Sequence, residues 1–396
     1  NPAALDPWKI ETVISEVETN SVAVAFGGSY QYPLISYGNQ SGFTRLVMPA
    51  ASSPGNCGSG NRWYCWGLVE NYVKAWTTAP MAVYNFQNSF KIGWGYQNWS
   101  TGNTVLIERE YSDSLEPLSA TITKVVDPDL FAGENQEWEL AGVPSLAYDE
   151  YGNAHFALVL GFGGMRKLIY AYEKTGTAPT TPCNEDSNTH FQCDVILETS
   201  SPLIILTPYR LILTASGKPR IAYYTLENST TTRLMYAYPY SSILFPHTNC
   251  GPGGDTWRCI VMLSSSGTWT LGGDDELPMV DMAIAPGNEY PRLAIRAEDS
   301  EGRKYVVEAE YVGSDGSCGS DWNLSTFTNR WLCDGHFIDS RPTYPYTSFG
   351  IAADAYDYPV LAVGHAHYLD YIHLWLTYPE DRSEERRVGK ECRSRW

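Results

Sequence analysis

Six times the chain writes the same phrase: an apolar strand, a Gly/Asn/Pro-type turn, a second apolar strand, and a third that ends on tyrosine or another aromatic. The clearest copies are PSLAYDEYGNAHFALVL from Pro144, YRLILTASGKPRIAYY from Tyr209 and FGIAADAYDYPVLAV from Phe349; weaker ones start at Val22, Met81 and Val280. The copies recur about 60 to 70 residues apart, a period that signals a radial or stacked repeat of strands rather than one two-layer core. Within a copy Leu146, Tyr148, Phe156, Leu158 and Leu160 alternate with smaller residues, as a half-buried strand requires. The turn at Gly152-Asn153 suits a tight hairpin.

A third strand, KLIYAY from Lys167 and RLMYAY from Arg233, is followed after a longer loop by a fourth: CWGLVE at Cys65, CDVILE at Cys193 and CIVMLS at Cys259. Four antiparallel strands per unit make the blade of a β-propeller. No segment sustains a helical apolar period. The expected fold is therefore all-β: a single six-bladed propeller over residues 1–381, with blades near 21–71, 79–128, 142–199, 207–266, 277–340 and 346–379. The sixth copy lacks a fourth strand. The start of the chain, Trp8 to Ile14 within a closing segment 1–20, reads like one, and its insertion there would leave no open sheet edge.

Eight of the nine cysteines fall into four short-range pairs, Cys57/Cys65, Cys183/Cys193, Cys250/Cys259 and Cys318/Cys333. Each pair occupies the loop between the third and fourth strands of its unit. Zinc is a poor reading, because four separate two-ligand sites would each be incomplete. Disulfides are expected, and with them an oxidising, extracellular setting. No signal peptide is visible, the chain opens on Asn1 as a processed product would, and no apolar run is long enough to span a bilayer. The ninth cysteine, Cys392, lies in RSEERRVGKECRSRW (Arg382–Trp396), which resembles the translation of a sequencing adapter. That segment is read as a non-native tail on a gene from environmental sequence data.

The formal net charge of −18 argues against nucleic-acid and anionic-membrane partners, since phosphate contact needs a basic surface. With 28 Tyr and 13 Trp, the chain has the aromatic faces that sugar-binding surfaces use, although most of these rings are expected to pack between blades. Sequons at Asn39, Asn98, Asn228 and Asn323 allow, and do not require, glycosylation.

The repeats resemble those of secreted sialidase-like (BNR-type) propellers; SLAYDEYGNAHFALV at Ser145 and ASGKPRIAYY at Ala215 carry the likeness, which covers nearly the whole chain to Pro379. The S-x-D-x-G-x-x-W box of true sialidases is not present: SSSGTW at Ser264 lacks the Asp. No arginine triad with a Tyr/Glu nucleophile pair is assignable. The resemblance implies a fold and an extracellular setting, and it does not carry sialidase activity.

Propeller topology places the start of each inner strand and the end of each second strand at one channel mouth. Aligning the copies puts Met81, Ser145, Arg210, Asp281 and Gly350 in one position there. Arg210 and Asp281, charges on neighbouring blades, suit either a ligand clamp or a structural ion pair between blades. Tyr96, Trp99, Tyr224, Glu227, Arg296, Glu298, His365 and His367 follow the second strands. His365 and His367 in H-A-H share a strand face and offer acid/base chemistry or an incomplete metal site. Lys91, His155, Arg220 and Arg292 recur at the opposite end, where packing is the plainer expectation and an anion site the alternative.

No cofactor is expected. Calcium at Asn184–Asn188 or at Asp274, Asp275 and Glu276 lacks a proper loop pattern. The leading functional expectation is an extracellular recognition module for glycans or cell-surface polymers at the channel mouth. The alternatives are a polysaccharide lyase or glycoside hydrolase on that face, with His365, Tyr224 and Arg210 as the available catalytic groups, or a structural, adhesive surface protein.

Overall fold

A computed structural model describes strands and turns between Thr19 and Thr377. Residues 1–18, 70–80, 127–138, 175–182, 184–190, 240–247, 272–279, 319–330, 340–346 and 378–396, with shorter loop segments, lie outside the described residues. Every described sheet is antiparallel, and each is built from strands of one continuous stretch of the chain. The first blade comprises Thr19–Gly27, Tyr32–Asn39, Thr44–Pro49 and Trp63–Val69. The second comprises Met81–Asn85, Ser89–Gln97, Thr104–Ser112 and Ile122–Val126. The third contains Ser145–Tyr148, Ala154–Phe162, Met165–Glu173 and Phe191–Ser200; the fourth contains Ile204–Leu213, Pro219–Glu227, Thr231–Pro239 and Trp257–Ser264. Val280–Ala283, Arg292–Asp299, Lys304–Tyr311 and Trp331–Asp339 make the fifth, and a last sheet holds Thr347–Ala353, Pro359–His367 and Tyr371–Thr377.

The expectation of six four-stranded blades is thus met at five, and the last sheet has three strands among the described residues. The segment expected to complete it, Trp8 to Ile14, lies outside the described residues. The innermost strands contact one another in succession, and Thr347–Ala353 contacts Thr19–Gly27, so the sheets close into a ring.

Between sheets the core is made of the alternate apolar residues. Phe156, Leu158 and Leu160 face one neighbour with Leu106 and Leu146, while Ala157 and Val159 face the other with Tyr209, Leu211 and Tyr223. This two-sided burial is why the second strands read as nearly continuous apolar runs. All four predicted disulfides are present: Cys57–Cys65, Cys183–Cys193, Cys250–Cys259 and Cys318–Cys333.

One turn recurs. In Asp149–Asn153, Thr214–Lys218 and Asp299–Arg303 the first residue donates its N–H to the carbonyl of the last, and its own carbonyl accepts the N–H of Gly152, Gly217 or Gly302. Those glycines sit at φ 79°, 72° and 75°, a conformation that a side chain resists. The Asp149 and Asp299 carboxylates, or the Thr214 hydroxyl, cap the turn from inside.

Candidate functional site

At the channel mouth the inner strands of three consecutive blades are interrupted at the same height. In the third blade, Glu139–Leu140 pairs with Gly161 and Leu160, and the inner strand resumes only at Ser145 opposite Ala157. In the fourth, the register skips between Leu206 and Arg210. In the fifth, Trp269–Leu271 pairs with the far end of the second strand before Val280 takes over. Irregularities of this kind leave backbone groups outside the ladder and re-aim nearby side chains.

Directly below these breaks, Ser145, Arg210, Asp281 and Gly350 do occupy one register, opposite Ala157, Ala222, Ala294 and Ala362. Met81 does not: it pairs with Trp94, and Ala82 opposite Gly93 takes the equivalent place. The hairpin loop of the second blade is shorter, Asn85 pairing with Phe90 where Tyr148 pairs with Ala154, so an alignment anchored on the turns slips by one residue.

The shared register works as a latch between blades. Ser145 Oγ accepts the N–H of Leu211 at 2.8 Å, and Asp281 Oδ2 accepts the N–H of Ile351 at 2.8 Å; each acceptor reaches the residue after its counterpart in the next blade. Arg210 Nε lies 2.5 Å from Asp281 Oδ1, which also accepts the N–H of Met282. Asp281 is buried, and that burial pushes its carboxyl above the usual range despite the Arg210 charge, which pulls it down. The pair therefore joins the fourth, fifth and last blades.

The other candidates separate by depth. Tyr224 is fully buried, and burial drives its phenol far above the ordinary range. It stands two residues beyond Ala222, so the strand alternation turns it into the stack between blades, where a substrate cannot reach it as a proton acceptor. This removes it from the catalytic candidates. Arg296 is 2% exposed, opposite the interruption of the fifth blade, and burial brings its guanidinium down to about 10 against the nearby Glu298 charge. Tyr96 ends the second strand of its blade, paired with Val105; its side chain, like that of Glu227, and all of Trp99 lie outside the described residues.

His365 and His367 lie on Pro359–His367 at the mouth end of the last sheet. The register adds a residue that the H-A-H motif alone did not reveal: His373 is paired directly with His365. Its signal, a histidine in the strand YIHLWLT, becomes legible only once the hairpin register is fixed. Among the described residues with placed side chains, no group of three His, Cys, Asp or Glu gathers for a metal. The acidic segments at 184–188 and 274–276 lie outside the described residues.

The recurrent basic position at the opposite end is packed. Lys91 Nζ donates to Gly152 O at 2.7 Å, lies 3.2 Å from Glu108 Oε1 and sits 4.5 Å above the Tyr148 ring. His155 Nδ1 is 2.5 Å from the Tyr170 hydroxyl, and Nε2 is 3.5 Å from Asp149. Arg292 is held by Glu308 and Glu310 at 2.8 Å each, and Arg220 is fully buried, with Nη1 donating to Pro219 O.

No protein-family model and no curated protein sequence matches the chain. Solved structures do resemble it. Trypanosoma rangeli sialidase in complex with the inhibitor DANA matches at a TM-score of 0.53 with 10% identity, over 96% of this chain and 57% of that one. The same sialidase in complex with a 2,3-difluoro-KDN matches at 0.51 with 12% identity, over 93% and 55%. The fucose-specific lectin from Aleuria aurantia matches at 0.46 with 12% identity, over 94% and 98%. The chain thus spans little more than half the length of the sialidase. At such identities the likeness to the sialidase is one of fold.

Proposed function

We propose that this chain is an extracellular propeller that recognises glycans or cell-surface polymers at its channel mouth. The observation that carries the reading is the aligned interruption of three inner strands above Ser145, Arg210 and Asp281. Breaks in the inner ladder that re-aim nearby side chains suit a hydroxyl-rich ligand, which needs many directional partners and little charge. Four disulfides support an oxidising, exported setting. The sialidase whose fold it resembles is a carbohydrate-active protein by its description, which agrees with this reading. Six blades, with the N-terminal segment completing the last, belong to the same proposal.

Recognition ranks ahead of lyase or hydrolase chemistry because two of the three catalytic candidates are occupied elsewhere. Tyr224 is buried, and Arg210 is engaged by Asp281. The test is a screen of the protein against neutral and acidic polysaccharides, read both as saturable binding and as turnover. Binding without product is the expected result. Release of an unsaturated uronate with its ultraviolet absorbance, or of reducing ends, would replace the recognition reading with an enzymatic one.

A further inference from the structure

We infer that the Cys57–Cys65 disulfide of the first blade is a site of reversible thiol exchange, at which an external small thiol opens the bond while the other three disulfides stay closed. The inference rests on the unequal burial of four chemically equal bonds. Cys183, Cys193, Cys250, Cys259, Cys318 and Cys333 are at most 8% exposed, whereas Cys57 and Cys65 are both partly exposed. Exchange requires a thiolate to reach a sulfur, so access separates inert disulfides from labile ones.

The first and fourth blades carry almost the same loop, NCGSGNRWYC and NCGPGGDTWRC. In the fourth, Cys250 and Cys259 belong to the core between the third and fourth blades, together with Trp257 and Tyr223. The Tyr223 hydroxyl donates to Cys259 Sγ at 3.2 Å. In the first, Cys57 stands outside the strands, joined to Trp63 by an isolated bridge, and Cys65 lies on the outermost strand of its blade. The same loop thus holds a covered bond in one blade and a reachable one in the other.

The first blade also holds its loop by means other than the bond. The side-chain amide of Asn56 accepts the N–H of Cys65 at 2.7 Å and donates to the Cys65 carbonyl at 3.0 Å, as a neighbouring strand would. The N–H groups of Asn56 and Cys57 both donate to Trp63 O, at 3.0 and 3.1 Å, and the Trp63 N–H donates back to Cys57 O at 3.3 Å. Trp63 itself is buried. These contacts keep the two cysteine arms together after reduction, and that proximity makes the exchange reversible.

The external reactant is a thiol of the glutathione class. Its thiolate attacks one of the two sulfurs; a mixed disulfide forms, the Cys57–Cys65 bond breaks, and the other cysteine leaves as a thiolate that takes up a proton. A second external thiolate then displaces the first. The chain is left with two thiols and the reactant as its own disulfide, two electrons having passed to the chain. An oxidising medium drives the same steps backwards.

The experiment uses the full chain with Cys392 first blocked by N-ethylmaleimide. The protein is incubated in reduced glutathione without denaturant, quenched at intervals with iodoacetamide and mapped by peptide mass spectrometry. Glutathione adducts and carbamidomethyl groups should appear on Cys57 and Cys65 at least about tenfold faster than on any other disulfide cysteine, with the far-ultraviolet circular dichroism unchanged. Transfer to oxidised glutathione should restore the bond. The Cys57→Ser/Cys65→Ser variant should fold and take up no label; if it does not fold, the time course on the unaltered protein still decides. Another pair reacting first, all four pairs reacting together as the dichroism signal is lost, or no label before unfolding would each overturn the site.

Discussion

The second and fifth blades secure their outermost strands by different chemistry. In the fifth, Cys318–Cys333 ties the outer strand to the loop before it, and Arg292 is neutralised within its own sheet by Glu308 and Glu310. The second blade has no disulfide among its described residues. There Lys124 on the outer strand reaches Glu108 at 3.0 Å and Glu173 of the third blade at 2.9 Å. Glu108, 2% exposed, also holds Lys91 and accepts the Tyr148 hydroxyl at 2.7 Å. Gly93 makes room for that tyrosine, since a Cβ there would lie 2.0 Å from its hydroxyl. The comparison teaches that one repeat position, Lys91 in one blade and Arg292 in the other, can serve either a bond across blades or a bond within one. A covalent staple does not depend on pH or salt. A buried ion network depends on every member.

Removing the shared anion should have the largest effect. Glu108→Ala leaves Lys91 and Lys124 poorly compensated in the interior and is expected to cost about 3–5 kcal/mol in a denaturant titration. A cost below about 1 kcal/mol would mean that the network contributes little to holding the second blade. Next comes the staple: the Cys318→Ala/Cys333→Ala double variant should lose about 3 kcal/mol, and hydrogen exchange should rise in the fifth blade while the second stays protected. Equal loosening of both blades would erase the distinction between them. Glu308→Ala should cost less, about 1–2 kcal/mol, because Arg292 keeps Glu310.

The smallest effect is a contrast in pH dependence. Burial opposes the Glu108 charge, but Lys124, the Tyr148 hydroxyl and Lys91 outweigh it and hold the carboxyl below its usual range. Its stabilisation is complete above the unfolded value and is lost as pH falls through the folded one. Asp281 is shifted upward, so its contribution is present below the unfolded value and is lost as pH rises through the folded one. The cost of Glu108→Gln should therefore shrink on acidification, and that of Asp281→Asn should grow. Parallel slopes for the two variants would contradict the assigned environments.

Much of this was legible in the sequence. Strand alternation, turn residues and cysteine spacing carry the blades and all four disulfides because they are local signals. Arg210 and Asp281 were recognisable as neighbours because aligning the repeats puts them at one position on adjacent blades. What escaped depends on register across strands. Met81 was misplaced because one hairpin loop is shorter, and Tyr224 looked available because the end of a strand does not reveal which of its faces is covered. His373 went unread because opposition across a hairpin is a pairing fact, not a spacing fact. The network around Glu108 joins residues from two blades and leaves no contiguous motif.

The contact between Thr347–Ala353 and Thr19–Gly27 also bears on how the molecule comes into being. Each blade is stitched from neighbours in the chain and can form soon after it is synthesised. The seam joins the two ends of the described fold, so the closed circle waits for nearly the last strand. Until then the growing arc has an uncovered apolar face at each end, the condition under which partly made chains associate with one another. The slow event in its folding is therefore expected to be annular closure, a contact of very long sequence separation.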